Sequence, residues 1–541
     1  MKAPSLIEVL PVLDSKPMRT IPLRLWALAI LSSVLQVLPF SIAGPVPSWR
    51  RLFCWFCLTP LLLAMLGEDK SGQRLRPAQT ALLAYVSGFF WYMGNCYWIY
   101  QTMHIYGEIP KLASVGILVL FSLYVALYHA LLGTLVGILR RKFSVQAVLW
   151  AVPFLWVAVE LARARITGFP WDLLGYTQVD SLAATRLAPW TGVMGLSFVV
   201  ALVNILWISK LPWRRIPGAV GAVILVGALL LAGWKRSYIA AAATSASAVL
   251  LQENLNIGAA AGPGESTESL LADFTRLSLN PTFAPGISSS DGERSQIIAW
   301  PEAPAPFFDA DTNFRKAISK LAIGAQTPVI VNDLSFGARL PDGHLAEYNS
   351  AAFFQPDGRY AGHYDKMRLV PFGEYVPYKP LFFFAGSLLG NLPFVPGEQR
   401  RLLDSDGKRY GVFICYESIF GDDIRHFVDD GAQVLVNISD DGWYGDSSAP
   451  WEHLDMVRMR AIENGRWVIR ATNTGVTVAI DPLGRITAQM PRHIRGSMRV
   501  KFGYVDGKTF YTRYGDWFGW VCALITALAL GLSYSGRRAV N

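Results

Sequence analysis

The sequence predicts an α-helical transmembrane bundle of about eight spans joined to an α/β domain, and three observations predict it. Hydrophobic residues make up 52% of the 541-residue chain and charged residues only 16%, against about 25% charged in an ordinary soluble protein. Apolar stretches close to the ~20 residues that cross a bilayer recur before residue 240. From about residue 248 the pattern changes to short β-rich runs separated by turns and helical segments.

Seven apolar stretches lie at roughly 21–43, 51–67, 78–100, 112–139, 146–163, 189–209 and 216–234, and an eighth at 516–535. The first is too long for a cleaved leader and has no small-residue cleavage site, so it reads as an uncleaved span. The second is short, and a re-entrant segment is its alternative. Orientation follows from Lys and Arg in the short loops. With the N-terminus inside, the inner segments hold fifteen basic residues, among them Lys70, Arg74, Arg140, Arg141 and Lys210, and the outer ones six, among them Arg51, Arg163 and Arg165. The bias predicts cytoplasmic termini and a soluble domain on the outer face. The expected division is a transmembrane domain over 1–236, an outer domain over 237–515, and a last helix with its tail over 516–541. The net charge of +9 flanks apolar segments instead of forming one stripe, so it argues for membrane topology and against nucleic acid.

Few ionisable residues fall inside spans, which argues against a transporter. Glu160 and Arg163 lie three apart on one helix face, and an interfacial ion pair is the expectation. Trp91, Tyr92, Tyr97, Trp98 and Tyr100, and then Gly168-Phe169-Pro170-Trp171, sit at outer span ends. They read as an aromatic interface belt, with lipid head-group contact as the sharper alternative.

In the outer region strands are expected at Ala248–Gln252, Ile297–Trp300, Val329–Val331, Ser350–Phe354, Val412–Cys415, Val434–Val436, Val468–Arg470 and Val476–Ile480, with a helix over Glu452–Asn464. Residues 256–270, rich in Gly, Ala, Ser and Pro, read as a flexible loop. The alternation of strands and helices makes an α/β domain.

Three chemical groups follow strand patterns. Pro301 cannot continue a central ladder, so Glu302 stands just past a strand end. Lys366 lies in His363-Tyr364-Asp365-Lys366-Met367-Arg368-Leu369-Val370-Pro371-Phe372-Gly373-Glu374. Cys415 closes an apolar, β-branched run. It is the one cysteine of five outside the apolar spans, so it has no soluble disulfide partner. A buried structural thiol, a solvated glutamate and a loop lysine are the bland alternatives. Together the three supply what acyl transfer through a thioester needs: a nucleophile, a base and a cation for the oxyanion, helped by the backbone N–H after Cys415. The seven histidines are scattered, without metal-ligand spacing, so no metal and no cofactor are expected.

Trp300-Pro301-Glu302, Lys366 within Tyr-x-Lys-x-x-Leu-Val-Pro-Phe-Gly-Glu, and Cys415-Tyr416-Glu417 resemble the Glu–Lys–Cys triad of the nitrilase superfamily. With the spans, the Gly168-Phe169-Pro170-Trp171 loop, Tyr348-Asn349-Ser350, Trp443-Tyr444-Gly445-Asp446 and Thr472-Asn473-Thr474-Gly475-Val476, the chain resembles the apolipoprotein N-acyltransferase family over almost its whole length. The resemblance implies a nitrilase-like αββα sandwich in the periplasm of a bacterial inner membrane, and a monomer. It implies that Cys415 takes an acyl chain from a phospholipid, typically phosphatidylethanolamine, as a thioester. The N-terminal amine of the diacylglyceryl-cysteine of an apolipoprotein then receives the chain. Glu302 is the implied base and Lys366 the oxyanion partner. Glu374 holds Lys366, and Tyr416, Glu417 and Asn349 shape the site. The very apolar 381–395 segment, with Phe382, Phe383 and Phe384, is expected to be a mobile arm that dips into the outer leaflet and admits the acyl chain. The sequence departs from the family after its first strand, where no tryptophan lies between Gln252 and Trp300. The alternative is a membrane-tethered nitrilase-type amidase that uses the same three groups and releases acid to water.

Overall fold

The computed structural model describes residues 20–210, 217–237, 243–258, 264–285, 294–302, 307–340, 343–376 and 394–535. Each apolar stretch of the sequence is helical: Leu23–Val37, Pro77–Asn95, Lys111–Arg140, Val145–Ala162, Ala188–Leu206, Gly218–Ser237 and Trp517–Ser535, with the second stretch broken into short pieces. Among the described residues, five helices are long and apolar enough to cross a membrane: Ser48–Leu66, Lys111–Arg140, Val145–Thr167, Ala184–Leu206 and Trp517–Ser535. Leu23–Val37 and Gly218–Ala232 are apolar but shorter.

The break in the second stretch has a physical partner. Helix Ser48–Arg51 gives way to a 3₁₀ turn, Leu52–Trp55, before Thr59–Leu66 resumes. The backbone groups freed there are taken by one side chain from another helix. Asn204 Oδ1 accepts from Leu58 N at 2.7 Å and Thr59 N at 3.2 Å, and its Nδ2 donates to the Cys54 carbonyl at 2.7 Å. Irregular backbone in an apolar bundle survives only when such a partner is supplied. Helices Pro77–Asn95 and Lys111–Arg140 approach closely because Gly133 and Gly137 face Thr80, where a Cβ would collide. That small-residue spacing lets helices pack without a hydrophobic driving force between them.

The α/β part contains two six-stranded sheets. One is ordered β12-β1-β2-β3-β4-β5 and the other β11-β10-β9-β8-β7-β6. The strands are β1 (Ala246–Gln252), β2 (Ile297–Ala299), β3 (Val329–Arg339), β4 (Leu345–Phe354), β5 (Tyr360–Asp365), β6 (Leu402–Ser405), β7 (Lys408–Ile414), β8 (Val434–Ser439), β9 (Val468–Thr472), β10 (Val478–Ile480), β11 (Ile486–Gln489) and β12 (Gly496–Phe502). Alternation sorts their side chains into layers. Ala248, Leu250, Ile297 and Ala299 join Val412, Ile414, Val434 and Val436 in the core between the sheets. Val249, Leu251, Ile298 and Trp300 face outward and pack on Leu270, Phe274, Phe314 and Ile318 of helices Thr267–Leu279 and Thr312–Ala325. Helices Gly421–Asp429 and Ala449–Asn464 pack on the second sheet.

Two expectations need correction here. Thr267–Leu279 is a helix, capped by Ser266, so the loop predicted over 256–270 ends earlier than its composition suggested. Residues 259–263 of that loop lie outside the described residues, as do Phe382, Phe383 and Phe384. The aromatic residues read as an interface belt are instead largely buried between the bundle and the α/β part. Trp91, Tyr92, Phe169, Trp171 and Tyr176 share one apolar core with Tyr416, Ile419, Tyr444, Met456 and Met459.

Candidate functional site

The parallel strands of both sheets point their carboxyl ends at one region, the usual place for a site in such sheets. β1, β2 and β3 run parallel in the first sheet, and β7, β8 and β9 in the second. Glu302 lies two residues past Trp300, whose N–H makes the last bridge to β3, at 2.9 Å from the Ile330 carbonyl. Lys366 follows β5 directly, and its N–H donates to the Asn349 carbonyl at 2.8 Å. Cys415 follows β7 and opens the 3₁₀ turn Cys415–Ile419. Its φ of +48° is left-handed, a conformation that costs a non-glycine residue about 1–3 kcal/mol and marks sites that must present a side chain. A sharp strand-to-helix turn of this kind lifts a nucleophile clear of the sheet.

Four predicted residues form one hydrogen-bonded knot. The Lys366 ammonium, 1% exposed, donates to Glu302 Oε1 at 3.0 Å and to Glu374 Oε1 at 2.8 Å. Asn349 Nδ2 donates to the same two oxygens at 2.7 and 3.0 Å. Asn349 is itself held by Asn332, whose Nδ2 reaches its Oδ1 at 2.8 Å. Glu374 Oε2 accepts from Val370 N at 2.7 Å, which closes the Pro-Phe-Gly turn on itself. Glu302 Oε2 accepts from Asp440 N at 3.0 Å, tying the knot to the end of β8. Burial alone would lower the Lys366 pKa, but the two carboxylates outweigh it and hold the ammonium well above its ordinary range. Burial, reinforced by Glu302, pushes the Cys415 thiol up, while Lys366 and a hydrogen bond from Ser439 draw it down. The balance leaves a protonated thiol at rest, so a nucleophilic role requires a base at the moment of attack.

Tyr416 and Glu417 are placed differently. Glu417 Oε2 accepts from Ile414 N at 2.7 Å, and Oε1 from Tyr364 Oη at 2.7 Å, Met367 N at 2.8 Å and Arg368 N at 3.2 Å. It therefore clamps the Cys415 turn to the chain that follows Lys366. The Tyr416 hydroxyl points to the bundle and donates to the Gly168 carbonyl at 3.4 Å.

His453, Asp440, Asp441 and Arg470, not singled out in the sequence, and Asn473, named there only within a motif, complete the surroundings. His453, fully buried, lies 3.1 Å from the Cys415 carbonyl and is backed by Asp441 at 2.8 Å, which Arg470 grips at 2.5 Å. Asn473 secures the unusual loop after β1. Its Oδ1 accepts from Leu255 N at 2.8 Å, and its Nδ2 donates to Asp440 at 3.1 Å. The sequence signal for these was their position: Asp440, Asp441 and Asn473 follow the ends of β8 and β9, as Cys415 follows β7. His453 carried no such signal, because it sits inside a helix.

The bundle is bolted to this region. The Trp171 indole donates to Glu452 at 2.8 Å and stacks on His453 with centroids 5.9 Å apart. Arg51 bridges Asp180 at 2.6 Å and Asp455 at 3.2 Å, and Arg458 bridges the same pair. Arg165 binds Asp422 at 2.8 Å and Asp516 at 2.6 Å. The expected Glu160–Arg163 ion pair is not made. Glu160 Oε1 accepts from Trp156 Nε1 at 2.8 Å and Leu174 N at 2.7 Å, while Arg163 turns to the Asp172 carbonyl and the Tyr92 ring. One donor, Trp156, lies one turn back on the same helix, and the other, Leu174 N, comes from a segment folded over the helix end, which spacing along one helix does not reveal. Among the described residues no group of His, Cys, Asp and Glu is arranged to hold a metal ion.

Two packed sheets with helices outside them, and a thiol, a lysine and paired carboxylates at their strand ends, define a nitrilase-type α/β unit docked on an apolar helical bundle. Comparison with known proteins agrees. The carbon-nitrogen hydrolase family model matches residues 231–501, and the apolipoprotein N-acyltransferase N-terminal domain model matches residues 32–206. The apolipoprotein N-acyltransferase of Geobacter metallireducens is 35% identical over 95% of this chain and 96% of its own. That of Haemophilus influenzae is 32% identical, with the same coverage. Among solved structures, an amidase from Nesterenkonia sp. matches 51% of this chain and 95% of its own, with a TM-score of 0.36 and 17% identity. The chain belongs to the apolipoprotein N-acyltransferase family, and it is an acyltransferase.

Proposed function

We propose that this chain transfers an acyl group from a phospholipid to the N-terminal amine of a diacylglyceryl-cysteine on an apolipoprotein, and that Cys415 carries the acyl group between the two. The observation that carries this reading is the buried knot of Lys366, Glu302, Glu374 and Asn349 beside a strained cysteine turn. In the first stage the Cys415 sulfur attacks the sn-1 ester carbonyl of phosphatidylethanolamine. The C–S bond forms, the ester C–O bond breaks, and Glu302 passes the thiol proton to the departing lysophospholipid alkoxide. In the second stage the amine attacks the thioester. The C–N bond forms, the C–S bond breaks, and the amine proton returns through Glu302 to sulfur. Lys366 and the Tyr416 N–H face the oxyanion in both stages. Glu374 and Asn349 keep Lys366 charged and aimed, and Glu417 fixes the turn.

The divisions at about 236 and 515, the periplasmic side and the monomer are part of the same reading. The assignment of the two sides is supported at both ends of the bundle. Arg51 (through Asp455), Arg165 and Trp171 meet the α/β part at one end of the bundle. At the other, Arg74 reaches the Arg140 carbonyl at 3.3 Å and Gln146 the Lys210 carbonyl at 2.8 Å, which gathers the basic loops. The docked bundle supports a lipid donor and a lipid-anchored acceptor over water, since tethering both raises their effective concentration at Cys415. The test is a chase. The purified protein is loaded with acyl-labelled phosphatidylethanolamine and then given a diacylglyceryl-cysteine peptide. Label appearing in an amide on the peptide is expected. Release only as free fatty acid, unchanged by the peptide, would favour a hydrolase and sink the proposal.

A further inference from the structure

Two carboxyls beside the knot, Asp440 and Glu253, make no ion pair with the described residues. Asp440 follows β8, is buried, and gives its backbone N–H to Glu302 Oε2 at 3.0 Å. One carboxyl oxygen, Oδ1, is anchored by Gly442 N at 2.9 Å and Asn473 Nδ2 at 3.1 Å. The other, Oδ2, makes no hydrogen bond to the described residues. Glu253 follows β1 and is fully buried, and neither of its carboxyl oxygens has a partner among the described residues. The cations nearby are engaged elsewhere: Lys366 by Glu302 and Glu374, Arg470 by Asp441, and Arg495 by Glu265 and Asp273. Burial, reinforced by Glu302, pushes the Asp440 carboxyl up to about 8, although Gly442 and Asn473 draw it down. The N-terminal amine of a peptide ordinarily titrates at about 8 as well.

The second stage of the reaction has a proton that Glu302 alone does not place. An N-terminal amine arrives at neutral pH chiefly as an ammonium. It must lose one proton to become a nucleophile and a second as the amide forms, and Glu302 returns one of them to sulfur. We propose that Asp440 is the seat of the acceptor's ammonium: Oδ2 binds it beside Glu302 and takes the first of its two protons. The proposal rests on acyl transfer through Cys415. The arriving ammonium displaces to water the proton that Asp440 holds at rest, and one proton then lies between carboxylate and nitrogen. Its passage to Oδ2 breaks an N–H bond and leaves a neutral amine. The C–N bond forms, the C–S bond breaks, and the second proton passes through Glu302 to sulfur. Asp440 ends protonated, as it began. The sum is ammonium and thioester giving amide, thiol and one proton in water. Closely matched partners make the first transfer nearly isoenergetic. The titratable groups that face Asp440 are Glu302, Asp441 and Glu253. All are acidic, which favours a cation there.

The test separates the two stages in the full-length protein at pH 7. Asp440→Asn keeps the backbone N–H for Glu302 and a carbonyl oxygen for Gly442 and Asn473, but turns an amide NH₂ on the ammonium. In single turnovers it should slow transfer from the preformed thioester to a diacylglyceryl-cysteine peptide by about 10–100-fold, the worth of a hydrogen bond to a charged group. Thioester formation from phosphatidylethanolamine, which involves no amine acceptor, should slow far less. The loss in transfer should shrink to about threefold at about pH 9.5, where the amine arrives neutral. It should shrink likewise at pH 7 when hydroxylamine, a nucleophile already neutral there, replaces the peptide. Equal slowing of both stages, no slowing of transfer, or a loss as large at the higher pH or with hydroxylamine would overturn the proposal. Should Asp440→Asn not fold, Asp440→Ser, whose hydroxyl can still accept from Gly442 N, takes its place. A wild type that never forms the thioester, or loses it only to water, would instead defeat the acyl-transfer reading.

Discussion

Lys366 has two carboxylates within 3.0 Å and no solvent, so it is a fixed cation and not a titrating base. Its raised pKa keeps the charge, and the stability drawn from it, at every pH below its ordinary 10.5, and loses it only as pH climbs through the still higher folded value. Activity between pH 6 and 9 should therefore show no limb from Lys366. Lys366→Met should cut single-turnover acylation by 10² or more, about what an electrostatic partner of the oxyanion is worth. Glu302→Gln should fall by about 10²–10⁴, the contribution of a general acid–base group. A loss under tenfold for either, in protein that still melts cooperatively, would remove that residue from the chemistry. These residues were legible in the sequence because each follows a strand pattern with a distinctive neighbour: Pro301 before Glu302, the Pro-Phe-Gly turn before Glu374, the apolar run before Cys415. His453 was not legible. A lone histidine in a helix resembles packing until the fold shows which carbonyl it faces.

At the scale of elements, Glu417 is a buried carboxylate that ties the Cys415 turn to the chain after Lys366. It gathers four donors from the end of β7, from β5 and from the residues after Lys366. Glutamine has one carbonyl oxygen and would aim its amide at a donor, so Glu417→Gln should leave a buried N–H unpaired and destabilise by about 1–3 kcal/mol. Thermal melting would register the loss, and acylation should fall with it. Unchanged stability would mean the clamp is not what fixes the turn. The same network explains which strands the sequence revealed. β1, β7, β8 and β9 are wholly or largely buried apolar runs. β6 and β11 escaped because they lie at sheet edges, with short or half-exposed faces that leave little apolar periodicity. β12 also lies at an edge, beside β1, and its charged positions obscure the pattern.

For the whole molecule, the consequential surprise is the junction. Aromatic residues that composition assigns to a lipid interface are spent on joining the bundle to the α/β part, because only three-dimensional packing distinguishes a belt from a buried seam. Asp172 lies in that seam at φ +53°, and burial raises its carboxyl from 3.8 to about 7. A carboxyl raised in the fold contributes fully below its ordinary pKa and loses that contribution as pH rises to the folded value. Asp172→Asn, whose side chain tolerates the left-handed backbone, should therefore raise Tm by about 2–4 °C at pH 8 and give no gain at pH 4. Equal shifts at both pH values would contradict the assignment. The central claim concerns the whole protein acting on lipid. Its most direct test is the intact mass of the full-length chain after incubation with phosphatidylethanolamine. The account predicts one added acyl group on wild type, mapped to Cys415 and released by hydroxylamine, and none on folded Cys415→Ser under the thioester-cleaving conditions. An unmodified wild type that still converts lipid, or an acyl group carried by another residue, would contradict it.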